Sequence, residues 1–391
     1  MHPHLLESFM NLVGLGGPST SIGLYESVRS LIAAFLIFSF IMTAVLFLIL
    51  GLRKFLGFLQ SRLGPNRVGG PLGLGQTMMD ALKLLTKEDI VPAMSDHLVF
   101  NLAPVLVFVP AFMVYVVIPW TATGSPKDLD VGIIYIAAVT SIQVIGIVMA
   151  GWSANNKYSQ LGAFRSAGQM ISYEVPMVLA LVAPVIAAGT FSLQGIVRAQ
   201  LSTQWYILVT PIAFIVYMVA GLAETNLTPF DLVEAESELI AGFTTEYSGM
   251  KFALFYLAEF AGNFTVGAIG TTLFLGGWSM PFGIPGGWPW FIIKSSIIVL
   301  GLFWVRGTLP RVRVDQLMDL GWKFLIPAAL FQLLVIALYV AVGWPYWAVF
   351  IINVVVLIVV LALGGMLGLL PSRDDHVRDI RTEQRRKRAL I

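Results

Sequence analysis

The 391-residue chain is 57% hydrophobic and 12% charged, where soluble domains are about a quarter charged, so its composition excludes an ordinary soluble domain and indicates a polytopic membrane protein. It has no cysteine, which excludes cysteinyl iron–sulfur clusters and disulfides within the chain, and its four histidines (His2, His4, His97, His376) form no HExxH-type pair for zinc and offer little to haem. The net charge of +2 says little; its distribution says more.

Residues 1–29 lack a basic segment followed directly by an apolar core, so no cleavable signal peptide is read there, and residues 5–28 are expected to form a short interfacial segment. A membrane helix needs roughly 17–25 mostly apolar residues. Such stretches fall at about 30–51, 98–120, 131–152, 172–190, 205–224, 252–275, 290–309, 325–343 and 347–369. The expected fold is therefore all-α: about nine transmembrane helices, the last two joined as a hairpin by "GWPY". In the first polar loop, Gln76, Asp80, Lys83 and Lys87 share one face of a helix and Met78, Met79, Leu82 and Leu85 the other. That predicts an interfacial amphipathic helix, read either as a surface anchor or as a ligand portal. The preceding "GPNRVGG" is a turn and not a Walker loop, since the GK[ST] ending is missing. The chain divides into a leader (1–29), a membrane domain (30–345) with an acidic loop (225–251), an added span (346–370) and a basic tail (371–391). No internal repeat is evident, which argues against an inverted-repeat transporter.

With nine spans, all of the 24 lysines and arginines but Arg29, Lys127, Arg198 and Lys294 fall on one face. The positive-inside rule makes that face cytoplasmic, with the N-terminus outside and the C-terminus inside. The tail "RDIRTEQRRKRALI" reads as an anchor to anionic headgroups. On the same face, "AETNLTPFDLVEAESELIAGFTTEYSG" carries Glu224, Asp231, Glu234, Glu236, Glu238 and Glu246 and no base. Asp231 is expected close to a new helix N-terminus, and Glu234 and Glu238 share a helix face. Like charges this close raise one another's pKa, so the set can titrate as a coupled proton store; the alternative is a solvated loop. Its expected partners are the arginines of "RGTLPRVRVDQ" and "KYSQLGAFRSAGQ". Glu174, Glu224 and Glu259 sit in or at the ends of spans, where acids face the bundle interior and mark ion or proton routes, or are paired structural acids.

Six stretches, "SRLGPNRVGG", "ALKLLTKEDIVP", "GWSANNKYSQLGAFRSAGQMISYEVP", "ETNLTPFDLVEAESELIAGFTTEYSG", "KFALFYLAEF" and "PRVRVDQLMDLGWKFLIP", resemble the family of membrane H subunits of proton-pumping NADH:quinone oxidoreductase, respiratory complex I. The resemblance covers roughly residues 30–345 in order. It implies a bacterial inner-membrane subunit that binds no cofactor itself and takes part in reducing a quinone substrate (ubiquinone or menaquinone). NAD, FMN and iron–sulfur clusters would reside in partner subunits. The implied partners are the peripheral-arm quinone-site subunits, the small membrane subunits leading to the antiporter-like subunits, and membrane lipid, with no nucleic acid. By the resemblance, Arg53, Lys54, Arg62, Arg67, Asp80, Lys83 and Phe230 belong to the quinone access chamber. Lys157, Arg165, Tyr173, Glu174, Glu224, Asp231, Glu234, Glu236, Glu238, Glu246, Glu259, Arg306, Arg311, Arg313, Asp315 and Lys323 belong to the proton-coupling path. Three departures stand out. Leu52 replaces the acid of the usual "ERK", Leu227 replaces the base of "ETxR", and "VGGPLG" has one more glycine than "VGPxG". Leu227 leaves the acids expected to be less neutralised, and the added glycine is expected to loosen its turn. Related subunits of membrane-bound hydrogenases and formate hydrogenlyases, or an autonomous cation or proton transporter, remain the competing readings.

Overall fold

The computed structural model describes residues 24–70, 72–122, 127–202, 204–232, 240–280, 286–344 and 347–356. Among them there is no strand. The helices are α1 (Leu24–Leu59), α2 (Gln76–Thr86), α3 (His97–Met113), α4 (Gly132–Ser153), α5 (Lys157–Ala188), α6 (Leu193–Ser202), α7 (Pro211–Glu224), α8 (Gly249–Phe274), α9 (Trp288–Thr308), α10 (Val314–Asp319), α11 (Ile326–Val342) and the apolar α12 (Trp347–Val356). Seven segments are long and apolar enough to cross a membrane: α1, α3, α4, α5, α8, α9 and the α10–α11 run from Val314 to Val342. The shorter apolar α7 and α12 occupy the fifth and ninth expected positions. The leader through residue 23, the turn residues Pro345 and Tyr346, the basic tail, and Glu234, Glu236 and Glu238 lie outside the described residues.

Two helices extend well beyond the expected spans. α1 has 36 residues and is about 54 Å long against a hydrocarbon core of about 30 Å, so Arg53 and Lys54 ride on its extension. α5 has 32 residues, so Lys157 and Arg165 are helical where a loop was expected. Asn156 makes that early start possible: its side chain accepts the Tyr158 N–H at 3.0 Å and caps the helix. Tyr173 and Glu174 therefore stand near the middle of a helix, not at the edge of a span. α7 is the opposite case. Its 14 residues reach about 21 Å, because Pro211 starts it and the chain turns sharply after Glu224.

Hydrogen bonds between loops define two ends. At the basic end, Asp96 N–H reaches the Ser153 carbonyl at 3.1 Å, Ile90 N–H the Ser248 hydroxyl at 2.9 Å, and Val312 N–H the Pro229 carbonyl at 3.1 Å. There too the Tyr247 ring stacks on Phe100 at 4.1 Å; burial pushes its phenol up to about 12, so it stays a donor, to the Phe100 carbonyl. At the other end, Ile207 N–H meets the Phe274 carbonyl at 3.0 Å. Lys294, also at that end, donates to the carbonyls of Leu275, Gly277 and Ser279, closing the C-terminus of α8. α12 folds back along the bundle, its buried Asn353 donating to the Val209 carbonyl at 2.9 Å.

Small residues let the helices approach closely. A Cβ at Gly151 of α4 would lie 2.2 Å from the Ala163 Cβ and 2.7 Å from the Ser159 carbonyl oxygen of α5. Gly151→Leu is therefore expected to destabilise the α4–α5 pair by about 1–3 kcal/mol or more. Thermal unfolding of the purified complex checks this against Gly168→Ala, whose Cβ would meet nothing within 4 Å and which should be neutral. The turn before α2 brings backbone close together at two glycines. Gly69, at φ +83°, has its Cβ position 2.3 Å from Gly75 N, and Gly73, at φ +65°, 2.1 Å from the Pro65 carbonyl oxygen. Gly69 and Gly73 thus permit close backbone contacts, whereas a Cβ at Gly70, at φ +78°, would meet nothing within 4 Å.

Candidate functional site

Inside the bundle lies a cavity of about 70 Å³, bounded by α3, α4, α5, α7, α8 and the 3₁₀ turn Gly242–Thr244. A water needs roughly 10–15 Å³ of such space, so there is room for a few. Apolar walls from Val107, Met177 and Phe255 meet a polar lining that includes Gln143, Glu224, Asn226, Glu259 and Thr265. No lysine or arginine is among its described lining residues.

Local chain chemistry puts Glu224 there. α7 ends in a Schellman stop: Asn226 takes left-handed φ 50°, its N–H reaches the Ala223 carbonyl at 3.3 Å, and Leu227 N–H reaches back to the Leu222 carbonyl at 3.1 Å. The residue that closes this motif is commonly hydrophobic, and Leu227 is fully buried. Pro229 soon after prevents resumption of the helix. The irregular backbone then stays inside the protein, with Thr225, Leu227, Phe230 and Asp231 buried. At membrane depth such backbone is tolerated only where protein or a cavity satisfies it. Gln169 of α5 does much of this. Its Nε2 donates to the Ala223 carbonyl at 2.8 Å, the Asn226 Oδ1 at 3.2 Å and the Phe230 carbonyl at 2.8 Å. Glu224 is left with Oε2 buried and without a hydrogen-bond partner.

The other two intramembrane acids stand on neighbouring helices. Glu259 of α8 lines the same cavity. Glu174 of α5 accepts a hydrogen bond from the Ser141 hydroxyl of α4. Two acids of the loop have partners at the basic end. Arg311 Nη2 meets Asp231 Oδ2 at 2.9 Å, and Asn156 Nδ2 donates to Glu246 Oε1 at 2.6 Å. Asp231 thus has a cationic partner although Leu227 is not a base, whereas Glu246 meets a neutral amide. The helix expected to start near Asp231 lies outside the described residues.

Tyr173 is buried, donates to the Leu317 carbonyl at 2.8 Å and packs 5.6 Å from the Phe230 ring. Leu317 belongs to α10, and residues Leu320–Leu325 directly after that helix form a π-helical segment. Pro327 cannot donate to the carbonyl four residues back, which loosens the ladder there. Trp322 of that segment donates to Ser172 at 3.2 Å. Arg306 is half-buried at the end of α9, Arg313 and Asp315 are exposed, and Lys323 pairs with Asp319 at 2.8 Å in an exposed bridge of little energetic weight. Lys157 is exposed and Arg165 half-buried.

A second group gathers at the outer side of the basic end. Arg53 of α1 meets Asp80 of α2 at 2.5 Å, and Gln76 donates to the other Asp80 oxygen at 3.3 Å. Lys251 binds Asp89 at 2.8 Å and so ties the segment after α2 to α8. The amphipathic helix is thereby held with Met78, Met79, Leu82 and Leu85 exposed. Lys83, Arg62 and Arg67 are exposed beside it, and the Lys54 stem packs over Gly64. Phe230 does not join this group; it lies with Pro229 in an apolar cleft between α7 and α9. Leu52 is buried in the apolar core.

The NADH dehydrogenase family matches residues 32–337, a stretch that contains both groups. The chain belongs to the NADH dehydrogenase family. Within this family it is 50% identical over 310 residues to the H subunit of the NADH-quinone oxidoreductase of Dehalococcoides mccartyi, covering 79% of this chain and 86% of the relative. It is 49% identical over 314 residues to the protein of the same name from Bacillus thuringiensis, covering 78% and 94%. No set of His, Cys, Asp or Glu able to hold a metal ion occurs among the described residues. Gln169 and Ser141 were not among the residues expected from sequence. The signal for both was present: isolated polar residues within apolar helical stretches, Gln169 five residues before Glu174 and Ser141 beside Gln143.

Proposed function

We propose that this chain is the membrane H subunit of a multi-subunit NADH-quinone oxidoreductase, supplying the quinone access chamber and the first stage of the proton path. The polar cavity that carries Glu224 and Glu259 inside an apolar bundle is the observation that bears most on this reading. Acids there can take up and release protons through water, with Glu174 and its Ser141 donor continuing the polar series between helices. Asp231, a few residues past the reversal that follows Glu224, is paired with Arg311 at the basic end. Glu234, Glu236 and Glu238 continue the acidic run in sequence. The basic end is cytoplasmic in this reading, where peripheral subunits carrying NAD, FMN and iron–sulfur clusters dock. Lys157, Arg165, Asp315 and Lys323 supply charges to that docking face. The N-terminus lies outside, and the tail anchors on anionic lipid.

Quinone enters beside α1 and α2. The amphipathic helix lies in the interface with its methionines and leucines in lipid, and the Arg53–Asp80 pair fixes its angle to α1. Asp80→Asn is expected to raise the KM for a long-chain quinone by about fivefold, and Asp80→Arg with Arg53→Asp to recover part of it, since an ion pair of this exposure is worth about 1 kcal/mol. Steady-state kinetics in proteoliposomes measure both. The identity itself is tested by affinity purification of the chain from its native membrane. Copurification of an NADH-binding flavoprotein with inhibitor-sensitive quinone reduction is the expected result. A nickel–iron hydrogenase large subunit in its place would overturn it.

A further inference from the structure

The cleft that holds Phe230 is chemically unlike the cavity. It measures about 390 Å³, within the range of ligand pockets, and its walls are wholly apolar: Met218 and Leu222 of α7, Gly301, Val305 and Leu309 at and beyond α9, and Pro229 below. Two features show what it is shaped for. A Cβ at Gly301 would meet nothing within 4 Å, so the helix surface is open there in the middle of an apolar span. A Cβ at Gly307 would instead lie 2.7 Å from Leu59 and 3.1 Å from Leu56 of α1. Positions 301 and 307 are roughly 120° apart around the helix. The cleft therefore opens on a different side of α9 from α1, away from the Arg53–Asp80 portal.

The closed end of the cleft is the basic end. Val312 N–H bonds the Pro229 carbonyl at 3.1 Å, and the Arg311–Asp231 pair locks the same crossing. Arg311 is neutralised by this contact. Arg306, one residue past Val305, and Arg313, two past Arg311, have no ion-pair partner among the described residues. An apolar slot whose lining is followed in the chain by two cations without an ion-pair partner among the described residues matches one ligand chemistry. We propose that the cleft binds an anionic phospholipid, one acyl chain lying between α7 and α9 and its phosphate held by Arg306 and Arg313. A quinone fits the slot less well, because its carbonyls are uncharged acceptors and would leave both cations without a counter-charge, whereas a phosphate supplies one.

The test uses the intact complex in vesicles containing phosphatidylglycerol with a diazirine in its acyl chain. Crosslinks are mapped by peptide mass spectrometry. The expected result is labelling at Met218–Leu222 and Gly301–Leu309. Unlabelled phosphatidylglycerol should compete it on the order of tenfold better than phosphatidylcholine. Gly301→Leu, which fills the slot, should abolish it, while Gly301→Ala leaves it. Arg306→Gln with Arg313→Gln should erase the preference for the anionic probe. Equal labelling by a phosphatidylcholine probe, absence of labelling at the cleft, or displacement by long-chain quinone would each overturn the proposal. Labelling of the exposed α1 face near Phe35 serves as the control. If that label is missing too, the membrane placement of these helices fails along with the proposal.

Discussion

Glu224→Gln is expected to lower quinone-dependent NADH oxidation by the assembled complex by about tenfold or more, while NADH oxidation with a hydrophilic acceptor stays intact. Glutamine keeps the shape and loses the titratable carboxyl. Oε2 of Glu224 has no hydrogen-bond partner in the cavity wall, so substitution strands no neighbouring donor there. A structural acid would show little change on such a swap. Glu259→Gln alters the same water-sized space from α8 and should behave similarly. If the two act on one route, the double variant should be hardly worse than either single variant. Proton uptake followed by a pH-sensitive dye in proteoliposomes, together with turnover, measures this. Wild-type pumping by Glu224→Gln would remove this acid from the path.

The sequence made some of this architecture plain and hid the rest for identifiable reasons. Apolar length located the helices, since a bilayer sets their minimum span. It missed the first four turns of α5, because Lys157, Gln160 and Arg165 depress hydropathy while Asn156 still caps a helix. The amphipathic period of Gln76, Asp80 and Lys83 was readable, and α2 occurs where it predicts. Its docking was not, since Arg53 and Asp80 are 27 residues apart and meet only through the intervening glycine turn. The acids were visible as charges out of place. The meaning of Leu227 was not. As a departure from a family pattern it suggested a missing base, whereas its backbone role as the buried residue closing the Schellman stop appears only once Asn226 is seen at positive φ.

Gln169 carries the second large effect. One amide nitrogen holds the Ala223 and Phe230 carbonyls and the Asn226 side chain, the three oxygens around which the chain reverses after α7. Gln169→Leu removes the donor and leaves buried acceptors undersatisfied, at a cost of about 1–3 kcal/mol. The loss is partly offset because Ala223 and Phe230 carbonyls also accept from Asn226 and Leu232 N–H groups, and because Gln169 Oε1 is itself unpartnered in the wild type. Gln169→Glu is expected to be worse than leucine, since an ionised carboxylate faces three oxygens with no proton to donate. The expected order of thermal stability is wild type, then leucine, then glutamate. Because the reversal fixes Glu224 above it and Asp231 below it, quinone turnover should fall with stability. Adding Gln169→Leu to Glu224→Gln should then cost less activity than it does alone. Full additivity in that cycle would mean that Gln169 supports the fold without positioning the acid.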